Sequence, residues 1–241
     1  MHFKTDERCL PTSTVNCAPG SLNAGTATSW PDVPWDRNCA ENTKCTPSQA
    51  SPSFWTRKRL TSVTTEIRGA STWTPVDAWD LTHTFTNNAD GSRSLWLHKI
   101  QHRGLAGGTV TMPSVELGPK QLPNRIDNGT ADNIAPLIRP RLTLVLNDTG
   151  GQVDVNYKDA DCAIGSLPTS ESSSTKRCYP VKWNPTGEKE PITDWFHKYV
   201  VDSVIETDNT GGAPDMVTSY EYLATPGGRR RSRTASPTPS T

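Results

Sequence analysis

Apolar positions along this chain recur with a period of two rather than 3.6, the pattern of strands that turn one face to a core. Residues 59–67 set Val63, Thr65 and Ile67 on one face, and residues 77–85 alternate Trp79, Leu81, His83 and Phe85. Asn87-Asn88-Ala89-Asp90-Gly91 leads into a further alternating run, residues 95–102. An Asp-Gly turn between two such runs predicts a hairpin. Short strands are expected at 109–112 and 115–117, between Gly and Pro. The clearest hairpin joins 141–146 to 152–157 around Asp148-Thr149-Gly150-Gly151, with Val153, Val155 and Tyr157 sharing a face. Residues 179–183 read as a short edge-like strand and 195–207 as one long strand. The turn at 209–214 then leads to 216–223, a second firm hairpin in which Tyr220 and Tyr222 face the same way. No segment has the periodicity of an amphipathic helix. The predicted class is all-β, an antiparallel sheet built from hairpins.

The remaining texture divides the chain into three. Residues 1–55 are expected to be irregular and cysteine-stapled, packing on a β-rich domain at 56–223. Trp30-Pro31-Asp32-Val33-Pro34-Trp35-Asp36 is too broken by proline for a helix or central strand, so its two indoles are expected to anchor a loop onto the sheet. Residues 224–241 lack apolar periodicity and are expected to be a disordered tail, with Arg229-Arg230-Arg231-Ser232-Arg233 solvated. Hydrophobic residues make up 33% of the 241, and there are 20 Pro and 17 Gly. Ordinary domains run nearer 45–50% apolar. The core should therefore be thin, or the chain should bury surface against something outside itself. A net charge of zero supplies no global attraction to nucleic acid, and no run approaches the roughly 20 apolar residues of a membrane span. Met1-His2-Phe3-Lys4-Thr5-Asp6-Glu7-Arg8 lacks the apolar core of a signal peptide.

Six cysteines fall in three close pairs: Cys9 with Cys17, Cys39 with Cys45, and Cys162 with Cys178. Several pairings are open, and the nearest-neighbour pattern is the simplest. No CxxC spacing favours zinc, so disulfides in an oxidising compartment are expected. Closing the loop from Cys162 to Cys178 stabilises by roughly 3 kcal/mol in the chain-entropy model. His98 and His102 lie about 13 Å apart on a strand, too far to share a metal. His83, from the neighbouring strand, is the third histidine within reach. Polar, half-buried strand positions account for all three. Asp159, Asp161, Asp202, Glu206 and Asp208 show no acid/base spacing. Asn147-Asp148-Thr149-Gly150-Gly151 and Asp208-Asn209-Thr210-Gly211-Gly212 resemble each other and are rich in oxygen. Turn chemistry explains them without calcium. No G-x-S-x-G, P-loop or dinucleotide fingerprint occurs, so no catalytic residue, metal site or cofactor is expected. Trp30, Trp35, Trp55 and Trp73 are the candidate ligand contacts, because exposed indoles stack on sugars.

Several stretches together resemble the actinobacterial branch of Rhs/YD-repeat proteins. They are Lys4-Thr5-Asp6-Glu7, Trp30-Pro31-Asp32-Val33-Pro34, Phe54-Trp55-Thr56-Arg57-Lys58-Arg59-Leu60, Leu95-Trp96-Leu97 through Gly107-Gly108-Thr109, Gln121-Leu122-Pro123-Asn124-Arg125, and the hairpin to Tyr157. The most specific run from Cys178-Tyr179-Pro180-Val181 through Asp194-Trp195-Phe196-His197-Lys198-Tyr199-Val200-Val201 to Ser219-Tyr220-Glu221-Tyr222. The resemblance covers roughly residues 1–223. It implies a region upstream of the YD repeats of a very large secreted or surface protein. The last two hairpins are similar to the middle of the insecticidal Tc toxin B component, which begins a sheet enclosing a C-terminal toxin. The implied role is a non-catalytic structural shell segment, with the rest of the shell and its toxin as partners. The departure is the end. Where the family continues with an aromatic, acidic stretch, this chain turns basic, and a frameshift or premature stop is the expectation. The rival reading is a secreted β module that binds carbohydrate or cell-surface ligands.

Overall fold

The computed structural model describes residues 1–46, 49, 55–171, 174–185 and 190–222. Among these residues the strands are β1 (His2–Glu7), β2 (Lys58–Arg68), β3 (Trp73–Asn87), β4 (Arg93–Gly104), β5 (Val110–Pro123), β6 (Ile138–Leu146), β7 (Gly151–Tyr157), β8 (Cys178–Trp183), β9 (Ile192–His197), β10 (Val201–Asp208) and β11 (Met216–Ser219). Nine strands form an antiparallel sheet in the order β1-β2-β3-β4-β5-β6-β7-β10-β11, and β8 pairs with β9 in a sheet of their own. The only helical turns among the described residues are short 3-10 segments such as Ala27–Ser29 and Trp35–Arg37. The all-β, antiparallel expectation holds.

Two compact units emerge. The first comprises Met1–Thr86 and Ser92–Met112; the second comprises Asn87–Gly91 and Pro113–Thr241. In the first, β1 pairs with β2, and Phe3 lies opposite Val63. Residues 1–55 were expected to be irregular, yet they begin with this strand. Phe3 is the only apolar residue of His2–Glu7, so no hydrophobic alternation marks it. The main-chain ladder to β2 holds it instead. Val63 in turn lies opposite Trp79 of β3, as their shared alternation predicts.

The two short strands expected at 109–112 and 115–117 are one strand, β5, most of which belongs to the second unit. It continues through Pro119 because the register with β6 shifts between Gly118 and Pro119, where a missing N–H costs no ladder bond. A Cβ at Gly118 would lie 2.9 Å from that of Leu144, so only glycine fits there. The β6–β7 hairpin forms with Val145 opposite Val153, and the β10–β11 hairpin with Val204 opposite Thr218. The single strand expected at 195–207 is instead two. β9 pairs with β8, whereas β10 pairs with β7, and residues 198–200 carry the chain between them. A run of aromatic and β-branched residues does not record such a change of partner. The predicted strand at 216–223 ends at Ser219, although the Tyr220 N–H still reaches the Asp202 carbonyl at 2.9 Å. Leu223 and the tail at 224–241 lie outside the described residues.

The core does not sit in the nine-stranded sheet. Of the described residues in its strands, only Glu7 and Ala78 are buried. Apart from Phe196 of β9, the other buried apolar residues fall into two clusters outside the strands of the nine-stranded sheet. Cys9, Leu22, Trp30 and Val33 pack together in the first unit. Ile126, Cys162, Cys178 and Trp195 pack together in the second.

Candidate functional site

All six cysteines are bonded, and the pairing is the nearest-neighbour one: Cys9–Cys17, Cys39–Cys45 and Cys162–Cys178, with S–S distances of 2.05, 2.08 and 2.09 Å. Cys162 and Cys178 are both buried, at 5% and 4% exposure, and so is Cys9. Cys45 lies on the surface. Two of the cross-links close loops, and the third ties the loop at Cys162 to the first residue of β8, Cys178.

The four candidate indoles do not make a common platform. Trp30 is 1% exposed and unavailable to a ligand. Its Nε1–H donates to Glu7 Oε2 at 3.1 Å, which does anchor the loop onto β1. Trp35 and Trp55 are half-buried against the same cluster. Trp73 alone stands out, at 57% exposure, with the Arg68 guanidinium 5.8 Å from its ring centroid.

The histidines are also dispersed. His102 Nε2 lies 2.9 Å from Asp77 Oδ1, and its ring stacks on Trp79 at a centroid distance of 4.9 Å. His83 is half-buried; burial and the Arg59 and Arg8 charges hold its pKa below the usual value, against support from the Leu81 main chain. Among the described residues, no group of three His, Cys, Asp or Glu is gathered at metal-binding distance. The two oxygen-rich loops are occupied by their own backbone. Asn147 Oδ1 accepts from Thr149 N, Thr149 Oγ1 and Gly151 N at 3.0, 2.9 and 2.7 Å. Asp208 accepts from Thr210 and Gly212 in the same way, which holds its pKa below the carboxylate norm. Of the other candidate acids, Asp202 takes Lys158 at 2.6 Å and Asp161 takes Arg177 at 3.3 Å.

Sequence reasoning missed two buried ions. Glu7 is 5% exposed and accepts from Trp30, with Lys58 Nζ at 2.6 Å and Arg57 Nε at 3.6 Å. Burial pushes its carboxyl up, but the Lys58 and Trp30 hydrogen bonds and the Arg57 charge outweigh it, and its pKa lies below the ordinary value. Arg125 is 1% exposed. Both terminal nitrogens grip Asp132 Oδ2, at 2.8 and 2.9 Å. Nη2 also donates to Asp127 at 2.8 Å and to the Ile134 carbonyl at 3.1 Å. Asp194 lies 3.6 Å away and accepts from Trp183 Nε1 at 3.3 Å. In the same unit Arg141 covers the Tyr199 ring at 4.5 Å. Nothing in residue spacing marks these partners, because Glu7 and Trp30 meet across a loop and Asp194 reaches Arg125 from another hairpin. Their chemistry is charge satisfaction: three carboxylates surround the buried Arg125 guanidinium.

What stays open is strand edge. β1 and β11 end the sheet order, and both carry exposed apolar side chains. Phe3 is 64% exposed on β1, Met216 is 47% exposed on β11, and Tyr220 and Tyr222 just beyond β11 are 38% and 49% exposed. Comparison with protein-family models, curated proteins and solved structures finds no match, so the resemblance to Rhs/YD-repeat proteins rests on the sequence stretches that carry it.

Proposed function

We propose that this chain is a structural β-sheet segment of a large secreted protein of the Rhs/YD-repeat type, and that it performs no catalysis. The observation that carries this reading is the position of the core. A nine-stranded sheet whose described residues bury only Glu7 and Ala78 leaves apolar side chains such as Val145, Val153 and Ile205 half-exposed. At about 25 cal/mol per Å² of apolar surface removed from water, covering such strands is the main gain still open to the chain. Three disulfides fit an oxidising environment. Hydrogen exchange of the intact, oxidised chain tests the reading. Amides of β6, β7 and β10 should exchange faster than those around Cys162–Cys178 and Trp30. Uniform strong protection and one cooperative unfolding transition would show a self-sufficient domain instead. The exposed Trp73 ring favours a second reading, glycan binding. A glycan array on which Trp73→Ala abolishes a wild-type signal would favour that one.

A further inference from the structure

We infer that Asn128 is a modification site: its carboxamide is lost through a ring with Gly129, and the isoaspartate that results loosens the hold of Asp127 and Asp132 on Arg125. This goes beyond the structural reading and rests on the second unit alone. Asn128-Gly129 is the only Asn-Gly step in the 241 residues, and both residues are exposed. Gly129 has no side chain to shield its nitrogen. Among the described residues, no atom beyond its chain neighbours lies within 4 Å of where its Cβ would stand. Asn128 begins the 3-10 turn Gly129–Ala131 without a side-chain bond to it, although its carbonyl accepts the Ala131 N–H at 3.3 Å. Other loop asparagines differ. Asn16, Asn23, Asn87 and Asn147 each accept, through Oδ1, the N–H two residues on, at 3.1, 2.9, 2.9 and 3.0 Å. Those bonds fix their carboxamides, whereas the turn does not fix that of Asn128.

Asparagine is a thermally labile residue, and a following glycine gives it a partner for ring closure. The Gly129 main-chain nitrogen, on losing its proton to base, attacks Asn128 Cγ. An N–Cγ bond forms, the Cγ–Nδ2 bond breaks, and the amide nitrogen takes a proton from solvent and leaves as ammonia. Water then opens the succinimide. Attack at the side-chain carbonyl gives aspartate. Attack at the main-chain carbonyl gives isoaspartate, whose main chain runs through Cβ and is one methylene longer. That extra atom falls between Asp127 and Asp132. Asp127 Oδ1 lies 2.8 Å from Arg125 Nη2, and Asp132 Oδ2 lies 2.8 and 2.9 Å from the two terminal nitrogens. Asp132 Oδ1 also accepts the Ile134 N–H at 3.0 Å. Lengthening the link between such short contacts draws one carboxylate off the guanidinium. Arg125 is 1% exposed, so water does not replace what it loses. Aspartate at 128 keeps the original link and places its charge at an exposed position, where it costs little.

The full oxidised chain, kept warm in mildly alkaline buffer, tests the inference. Peptide mapping with isoaspartyl methylation should find conversion at Asn128 before any other asparagine. Urea unfolding should then acquire a second transition at a lower midpoint, in proportion to the isoaspartate. An Asn128→Ser chain kept alongside should hold its midpoint, and fresh Asn128→Asp should match fresh wild type. Asn128 still intact after other asparagines have reacted overturns the inference. So does accumulation of isoaspartate with no lower transition, or the same transition in Asn128→Ser. Fresh Asn128→Asp as weak as the aged wild type would assign the effect to charge and overturn the main-chain account.

Discussion

The cluster around Trp30 and the cluster around Trp195 each combine a disulfide, a buried indole and one buried ion, with the charge reversed between them. In the first, the Glu7 carboxylate is the buried ion, and its cations Lys58 and Arg57 keep 35% and 38% side-chain exposure. In the second, the Arg125 guanidinium is the buried ion, and its carboxylates Asp127, Asp132 and Asp194 range from 14% to 29%. The first arrangement lets the counter-ions return to water if the buried partner is lost. The second holds three acids close together around one base. Breaking a buried pair leaves an uncompensated charge, and that penalty exceeds the net worth of the pair. The two clusters should therefore fail differently.

The largest effect is expected at Arg125. Arg125→Met should cost about 3–5 kcal/mol, read as a fall in the urea midpoint. Arg125→Lys should rescue little, because an ammonium cannot reproduce the planar fork that grips Asp132 and Asp127 together. Glu7→Gln should cost only about 1–2 kcal/mol, because an amide oxygen still accepts from Trp30 while Lys58 and Arg57 rehydrate. A Glu7→Gln loss as large as that of Arg125→Met would erase the proposed difference between the clusters.

The disulfides should rank in the same sense, one step down. Cys162–Cys178 closes 16 residues and Cys39–Cys45 closes 6, worth roughly 3 and 2 kcal/mol in the chain-entropy model. Burial widens the gap in accessibility to reductant. Under native conditions with graded dithiothreitol, Cys39 and Cys45 should be alkylated first. Cys9 and Cys17 should follow, and Cys162 and Cys178 should react last. Early reduction of Cys162–Cys178 would mean that the Trp195 cluster opens more readily than its burial implies.

The same contrast shows what the sequence made legible. Hairpins with Asx-and-Gly turns were readable because Asn147 and Asp208 cap their own turns through main-chain bonds two and four residues on. The nearest-neighbour disulfides were readable because short loops limit the alternatives. β1 was not, since its exposed polar residues are held by backbone pairing that any side chain permits. The split of 195–207 into β9 and β10 was also invisible, because both halves are strand-like and only their partners differ. Trp30 looked like a candidate ligand contact because an indole near prolines is ambiguous until Glu7, 23 residues away, is seen to receive its N–H. The Arg125 nest draws two acids from its own β5–β6 connection and one from β9. No local pattern encodes such convergence.

The smallest expected effect sharpens the comparison through pH. Each unit carries a half-buried histidine whose pKa is lowered, first by burial. His83 faces Arg59 and Arg8, and both disfavour its charged form, against support from the Leu81 main chain. His197 faces Arg141, which also disfavours charge, and packs near Tyr199, but Asp161 favours the charged form. With folded values below the unfolded value near 6.5, the unfolded chain binds more protons. Stability is then full above about pH 6.5 and falls as pH drops toward the folded values. Glu7 acts in the same direction, with its contribution lost below about pH 4.3 as the carboxylate protonates. Because only His197 has a carboxylate to offset the cation, the first unit should be the more acid-sensitive. Denaturant midpoints measured from about pH 7.5 to 5 should fall less steeply in His83→Gln than in His197→Gln, relative to wild type. The opposite order would mean that Asp161 does too little to protect the hairpin around Trp195.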